Sequence, residues 1–340
     1  MKLQTLVASR LFSSGNVGLV LAAACLGGFV SPAQALLVIN AGNQNYRFMD
    51  NNLGPINTAP DNPIFIGKSY DLSGIAVSAK DGLGNPWFGG AMMISPHYFV
   101  TATHIAGHGS LNFRTQDGRM ITKTVAGGKA MSTYWSDGSY AGTADLYIGL
   151  LAGDGITADD HVAYYPVIMQ PDNTSTYTSV KWKWYNGKDM LVYSMNGGNA
   201  VGLNKIKYIT NYQLGGYTTG VAFDYVGTPD AYHANYDNMA GLNGESGSPW
   251  GIIWNGQFTA GGAHSAYYAP RLGDSSVNPT DNYTSVSSFL PYYVDQINAY
   301  MHESYPNENV TIQSIPEPSG LALLIGGCVL LMRPKRYKMA

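Results

Sequence analysis

The sequence of 340 residues has a formal net charge of −3, and only 12% of its residues are charged. It lacks the clustered surplus of Lys and Arg that nucleic-acid binding requires, so we expect no nucleic-acid partner. Its hydrophobic content of 45% is enough for a folded core and excludes a disordered chain. Short runs of Val, Ile, Thr and Tyr, broken by Gly, Asn and Asp, predict an all-β protein.

The first 35 residues are typical of a secretory signal peptide. Lys2 and Arg10 form a positive start, residues 17–30 are apolar, and Ala33-Gln34-Ala35 is a small-x-small cleavage site. A buried core helix is the alternative interpretation. The signal interpretation predicts that residues 1–35 are removed and that the protein is exported.

Residues 36–70 are rich in Asn and Pro and predict an extended N-terminal arm before a domain at 71–305. In that domain short apolar runs alternate with turn dipeptides such as Asp81-Gly82 and Asn186-Gly187. We predict strands at residues 74–77, 87–95, 98–102, 146–151, 162–168, 180–185, 190–193, 219–224, 250–254 and 258–263. Strands at this spacing predict a β-sandwich or β-barrels.

One helix is predicted near the end of the domain. Pro291 is suited to its first turn, and Val294, Ile297 and Met301 recur on one face. Residues 306–314 then form a predicted linker.

The residues between the two ends describe the predicted mature body. Residues 36–314 hold 13 Lys and Arg against 21 Asp and Glu, and this acidic balance favours solubility outside the cell. The two cysteines, Cys25 and Cys328, lie outside this range. The mature body is therefore expected to have no disulfide and no cysteine-based metal site.

Three segments carry the residue types of nucleophilic catalysis. Ser246 lies in Asn-Gly-Glu-Ser-Gly-Ser-Pro, His104 follows the apolar Val-Thr-Ala-Thr, and Asp145 opens Asp-Leu-Tyr-Ile-Gly-Leu-Leu. A serine nucleophile needs a base for its proton and an acid that orients that base. Taken singly, the three segments could be an ordinary loop, a structural histidine and an edge aspartate.

Taken together, these segments resemble the chymotrypsin-like serine proteases. "SPHYFVTATHI", "ADLYIGLL" and "GESGSP" are similar to the motifs around that family's catalytic His, Asp and Ser, in the same chain order. The resemblance implies a two-barrel chymotrypsin-like fold with a C-terminal helix, and it implies that peptides or proteins are the substrates. It assigns Ser246 as nucleophile, His104 as general base and acid, Asp145 as the orienting carboxylate, and the N–H groups of Gly244 and Ser246 as the oxyanion hole. No cofactor and no metal are implied.

The resemblance also implies a substrate pocket lined by Ala240, His264 and Ser265. Ala240 supplies no acid to attract Lys or Arg. His264 occupies the place where glutamyl endopeptidases carry a histidine that meets a substrate carboxylate. Together with Ser248, His264 makes the chain similar to the bacterial branch of glutamyl endopeptidases and autotransporter proteases. We expect His264 to offer one N–H at neutral pH and to gain charge as the pH falls toward 6.5. An ordinary half-buried strand histidine is the alternative.

Glu245 departs from the Asp that is usual in the family. Activation by insertion of a new N-terminus is therefore not expected.

Two other functional interpretations remain. His104 and His108 are spaced as two zinc ligands on a helix would be, but no Glu follows His104 as in the zinc-protease motif. We instead expect His108 to be a loop residue. Alternatively, the chain is a catalytically inactive surface or matrix protein that has a protease-like fold and binds a polymer or a protein.

Residues 315–340 resemble a PEP-CTERM sorting signal. Pro316-Glu317-Pro318 precedes the apolar residues 320–332, and a basic tail follows them. The apolar run of 13 residues spans about 20 Å as a helix, which is shorter than a bilayer core of about 30 Å. The resemblance implies transient anchoring in the inner membrane of a Gram-negative bacterium. It also implies processing by an exosortase-type sorting enzyme and release to the cell surface or extracellular matrix. A plain C-terminal membrane anchor is the alternative.

Overall fold

The computed structural model describes residues 36–38, 42–49, 59–87, 89–169, 182–195, 198–214, 216–225, 239–241, 246–268 and 283–315. The predicted signal peptide and, apart from Ile315, the predicted sorting signal lie outside these residues. None of the helices within the described ranges combines the length and the apolar character needed to cross a membrane.

Antiparallel strands make up most of the described structure. In chain order they are β1 (Leu36–Val38), β2 (Ala76–Asp81), β3 (Pro86–Trp87), β4 (Met92–Met93), β5 (Tyr98–Thr101), β6 (His108–Arg114), β7 (Met120–Tyr134), β8 (Tyr140–Leu151), β9 (Val167–Met169), β10 (Asp189–Ser194), β11 (Ala200–Lys205), β12 (Tyr208–Gln213), β13 (Tyr217–Tyr225), β14 (Met239–Gly241), β15 (Pro249–Trp254), β16 (Gln257–Tyr268), β17 (Tyr283–Ser288) and β18 (Ile312–Ser314).

The first sheet has the order β3-β2-β6-β7-β8-β5-β4. Its last strand returns to its beginning, because Met92 in β4 forms a bridge with Ile75 just before β2. The N–H of Ala76 also donates to the carbonyl of Ala91 at 2.9 Å. The sheet is therefore curled on itself, and apolar side chains such as Phe99 and Phe113 are fully buried.

The second sheet follows the path β11-β10-β15-β16-β17-β13-β12. Only Ile206 and Lys207 separate β11 from β12, so the two ends of this path are adjacent along the chain and the sheet curls as well. The short strands β9 and β18 add a parallel pair beside β16. A third, two-stranded sheet joins β1 to β14.

The helix α1 (Leu290–Met301) packs its predicted face inward, and Val294, Ile297 and Met301 are buried. The hydroxyl of Tyr293 accepts the N–H of Thr219 in β13 at 2.8 Å and forms a hydrogen bond with Thr133 in β7, also at 2.8 Å. The helix therefore contacts both curled sheets. The prediction of an all-β, two-barrel fold with a C-terminal helix is confirmed.

The described part of the predicted arm packs against both sheets. Asn45 donates to the carbonyl of Val201 in β11 at 3.0 Å. The Arg47 guanidinium donates to the carbonyls of Leu72, at 3.0 Å, and Arg114 in β6, at 3.2 Å. Since these donors satisfy main-chain acceptors, the arm is held by specific polar contacts.

Several predicted strands differ from those observed. The predicted strand at 87–95 is interrupted at Gly89 and Gly90, and of its described residues only Trp87, in β3, and Met92–Met93, in β4, belong to strands. The strand predicted at 180–185 is wrong, because Lys183–Tyr185 is a 3₁₀ helix. The rings of Trp182 and Tyr185, which are three residues apart, both pack on Phe289 with ring centroids 4.9 Å from its own. The three-residue repeat of a 3₁₀ turn allows this.

Candidate active site

The register of β5 and β8 brings the predicted histidine and aspartate together. Thr101 lies opposite Tyr147, so continuing the antiparallel register by two residues brings Thr103 level with Asp145. The Thr103 hydroxyl donates to the carbonyl of Ala144 at 2.8 Å, which fastens the 3₁₀ helix Thr103–Ile105 to β8. His104 therefore lies beside Asp145 although 41 residues separate them in sequence.

Asp145 holds this histidine by its backbone and by its ring. The N–H of His104 donates to Oδ1 of Asp145 at 3.1 Å, and Nδ1 of the ring lies 2.9 Å from both carboxylate oxygens. The Asp145 side chain is only 2% exposed, whereas that of His104 is 39% exposed. A buried carboxylate requires such hydrogen bonds, and this arrangement leaves Nε2 of His104 facing outward.

Ser246 lies on the other side of this imidazole, in the turn before β15. Its Oγ is 2.6 Å from Nε2 of His104. Gly247 follows with φ of +78°, a left-handed conformation that favours glycine. An added Cβ there would come within 2.5 Å of Oγ1 of Thr101. The backbone N–H of Ser246 makes no hydrogen bond within the part of the chain that the structure describes.

The second sheet also holds Asp145 through residues that the sequence analysis missed. The N–H of Asp145 donates to Oγ1 of Thr218 at 2.7 Å, and Tyr212 is the cross-strand partner of Thr218. The Tyr212 hydroxyl donates to Oγ of Ser265 at 2.5 Å. Burial and the nearby Asp145 carboxylate raise the pKa of Tyr212 well above its usual value, so it remains a neutral hydrogen-bonding group.

The predicted pocket residues lie in different environments. Ser265 and His264 are buried on β16, the latter with only 2% of its surface exposed. The backbone of His264 holds the turn formed by Ser246, Gly247 and Ser248, which we call the serine turn. Its carbonyl accepts the N–H of Gly247 at 2.8 Å, and its N–H donates to the carbonyl of Ser248 at 2.9 Å. Ala240 is in β14, opposite Leu37 of β1. Gly244 lies outside the described residues.

Two expectations about histidines are wrong. Burial lowers the pKa of His264 to about 4, so it does not gain charge near pH 6.5. His108 is not a loop residue but the first residue of β6. It is buried because its ring packs edge-on against Phe99. His104 and His108 therefore do not share a helix face, and no cluster suited to a metal ion occurs among the described residues.

A cavity of about 370 Å³ lies away from this site. Residues of the arm and of the turn after β6 line it, including Arg47, Asp61, Lys68, Asp71 and Gln116. It contains none of the predicted site residues.

Several solved structures are similar to this chain at low sequence identity. Neither a family model nor a curated protein sequence matches the chain. A mutant of human heparin binding protein is 12% identical, with 70% of this chain and 95% of that chain covered and a TM-score of 0.43. The HtrA-type protease AlgW with a tripeptide is 11% identical, with 71% and 63% covered and a TM-score of 0.42. The NS6 protease of murine norovirus 1 is 13% identical, with 62% and 88% covered and a TM-score of 0.35. Nothing about the activity of this chain follows from likenesses this distant.

His108 and His264 are both buried, and their pKa values predict how the stability of the protein depends on pH. Burial holds the pKa of both His108 and His264 at about 4. In the unfolded chain the pKa of a histidine is about 6.5. Below that pH the unfolded chain binds protons that the folded chain excludes, so acid favours unfolding. We expect the free energy of unfolding to fall from pH 6.5 to pH 4, by up to about 3 kcal/mol for each histidine.

Urea unfolding at pH 7.5, 5.5 and 4.5 measures this dependence. His108→Gln should reduce the slope, whereas the control His302→Gln, at an exposed position, should not. Carboxyl groups with a lowered pKa, such as Asp117 at about 2, act below this pH window. If His108→Gln and the parent had equal slopes, the assignment to His108 would be wrong.

Proposed function

We propose that this protein is an exported serine endopeptidase that cleaves peptide bonds through an acyl-enzyme. One observation carries the proposal: His104 lies between the buried Asp145 carboxylate, at 2.9 Å, and the Ser246 hydroxyl, at 2.6 Å. A nucleophile, a base and a group that orients the base are the parts that acyl transfer to serine requires.

The contacts of Asp145 determine the proton positions in the first step. With the ring proton on Nδ1 and directed at the carboxylate, Nε2 of His104 is an acceptor for the Ser246 hydroxyl. As Oγ of Ser246 attacks the peptide carbonyl, its proton passes to Nε2, and the imidazolium that forms is stabilised by Asp145. The C–N bond then breaks as Nε2 returns this proton to the leaving amine.

The second step reverses these roles with water. His104 accepts a proton from water, the hydroxide attacks the ester carbonyl on Ser246, and the acid product leaves as Oγ regains its proton. The N–H of Ser246, which has no partner among the described residues, can donate to the oxyanion in both steps. We propose the N–H of Gly244 as the second donor. The reaction needs no cofactor.

The catalytic proposal is tested at its nucleophile. A fluorophosphonate probe should label the parent protein and not Ser246→Ala, and the turnover of a casein substrate should fall by a factor on the order of 10⁶. Ser139→Ala is the matched control, because Ser139 lies on an exposed turn and should label normally. A folded parent protein that the probe does not label would instead favour the inactive, binding interpretation.

We also propose that the substrate pocket, with Ala240, His264 and Ser265, accepts Glu or a small to medium apolar residue before the cut. A neutral His264 can donate one N–H to a carboxylate, and a hydrogen bond to a charged group discriminates by about tenfold or more. Because the pKa of His264 is about 4, this preference should not change between pH 8 and pH 6. Peptide-library profiles of the parent and of His264→Ala measure it. A preference for Lys or Arg would contradict the pocket assignment.

The proposal of export rests on the two terminal segments of the sequence. We propose that the body is released to the surface or matrix of a Gram-negative bacterium after the signal peptide is removed and an exosortase-type enzyme processes the C-terminal end. Protein from the host medium should then begin near Leu36 and end near Pro316. Intact-mass measurement decides this, and a mass that includes residues 320–340 would refute C-terminal processing.

A further inference from the structure

His104 and Ser246 lie on turns that belong to two different sheets. The 3₁₀ helix that carries His104 follows β5 of the first sheet, whereas Ser246 precedes β15 of the second. The residues from 36 to 314 include no cysteine, so no disulfide can join these turns. Non-covalent contacts must therefore hold the 2.6 Å separation of Nε2 and Oγ.

On the histidine side, Trp87 at the end of β3 supplies one such contact. Its indole N–H donates to the carbonyl of Ile105 at 2.9 Å, one residue after His104. Its ring lies against Gly107, where an added Cβ would come within 2.8 Å of the ring. Trp87 thus holds the end of the 3₁₀ helix by a hydrogen bond and by packing.

On the serine side, Gly90 makes the corresponding contact. Its N–H donates to the carbonyl of Ser246 at 3.1 Å, and its carbonyl accepts the hydroxyl of Thr101 at 2.8 Å. The carbonyl of Gly89 faces Nε2 of His108 at 3.5 Å. The short segment that contains Trp87, Gly89 and Gly90 is therefore bonded both to the histidine turn and to the serine turn.

Glycine is required where this segment crosses between the turns. Gly89 has φ of +101°, and an added Cβ would lie 2.1 Å from Cδ1 of Ile105 and 2.8 Å from the carbonyl oxygen of Ser246. A side chain at Gly89 would thus press on the neighbours of both proposed catalytic groups.

We propose that Trp87, Gly89 and Gly90 are positioning residues that set the distance between His104 and Ser246. This inference rests on the proposed serine-protease function. The three residues touch neither reacting atom. They act through the backbone of Ile105 and Ser246, so they should affect the rate of the chemical steps more than the binding of substrate.

The decisive comparison is between Gly89→Ala and Gly84→Ala. Both glycines have positive φ, at +101° and +87°, but an added Cβ at Gly84 meets nothing within 4 Å. The two variants therefore share the backbone strain, and only Gly89→Ala displaces the turns. We expect Gly89→Ala to react with the fluorophosphonate about 100-fold more slowly than Gly84→Ala. Its kcat should fall while its KM changes by less than about twofold.

Trp87→Phe tests the contact between Trp87 and Ile105 on the histidine side, and it remains decisive if Gly89→Ala does not fold. Phenylalanine keeps a ring against Gly107 but cannot donate to Ile105, so kcat should fall about three- to tenfold with KM unchanged. Trp254→Phe is the control, because Trp254 ends β15 at the opposite end from Ser246. Circular dichroism verifies the fold of each variant.

The outcomes separate this inference from the function on which it rests. A folded parent protein that does not react with the probe overturns the proposed function itself. If the parent reacts and Gly89→Ala and Trp87→Phe are as fast as their controls, the positioning role is overturned and the catalytic assignment stands. If kcat/KM of the variants falls through KM alone, with kcat unchanged, the positioning role is also overturned.

Discussion

The buried carboxylate of Asp145 is the constraint on which the candidate site depends. A carboxylate with 2% exposure is costly unless hydrogen bonds compensate for the lost water. His104 supplies that compensation from its backbone and from its ring. The same contacts fix the orientation of the ring and leave Nε2 directed at Ser246. The requirement to stabilise a buried charge and the requirement to orient a base are therefore met by one arrangement.

The second constraint is that the site is divided between two sheets in a body without cysteine. Each sheet curls on itself and contributes its own hydrogen-bonded turn, so their relative position depends on contacts that cross from one to the other. Tyr293 links β7 to β13 through Thr133 and Thr219. Trp87 bonds to the turn that carries His104, and Gly90 bonds to the turn that carries Ser246. Thr218 supplies a further contact by accepting the N–H of Asp145. All of these are short-range polar contacts, so small local changes can alter the site without altering either sheet.

The sequence allowed the two-barrel fold and the three site segments to be predicted, because the motifs around His104, Asp145 and Ser246 are local patterns. It did not reveal β7, since this long strand is mostly half-buried or exposed, contains two glycines and lacks the apolar alternation on which strand prediction depends. Trp87 and Thr218 were missed for another reason. Their roles depend on neighbours that are distant in sequence, and an isolated Trp or Thr carries no sign of such a partner.

His264 shows why a residue's position in a motif does not determine the role of its side chain. Its backbone pairs with Gly247 and Ser248 and so shapes the serine turn, whatever the side chain does. The Asp145 carboxylate favours a charged imidazole at this position, but burial outweighs that attraction and lowers the pKa to about 4. This suits the function proposed above. A cationic His264 would compete for the negative charge of Asp145, whereas a neutral one leaves that charge to stabilise the imidazolium of His104 in the proposed transfer of the serine proton.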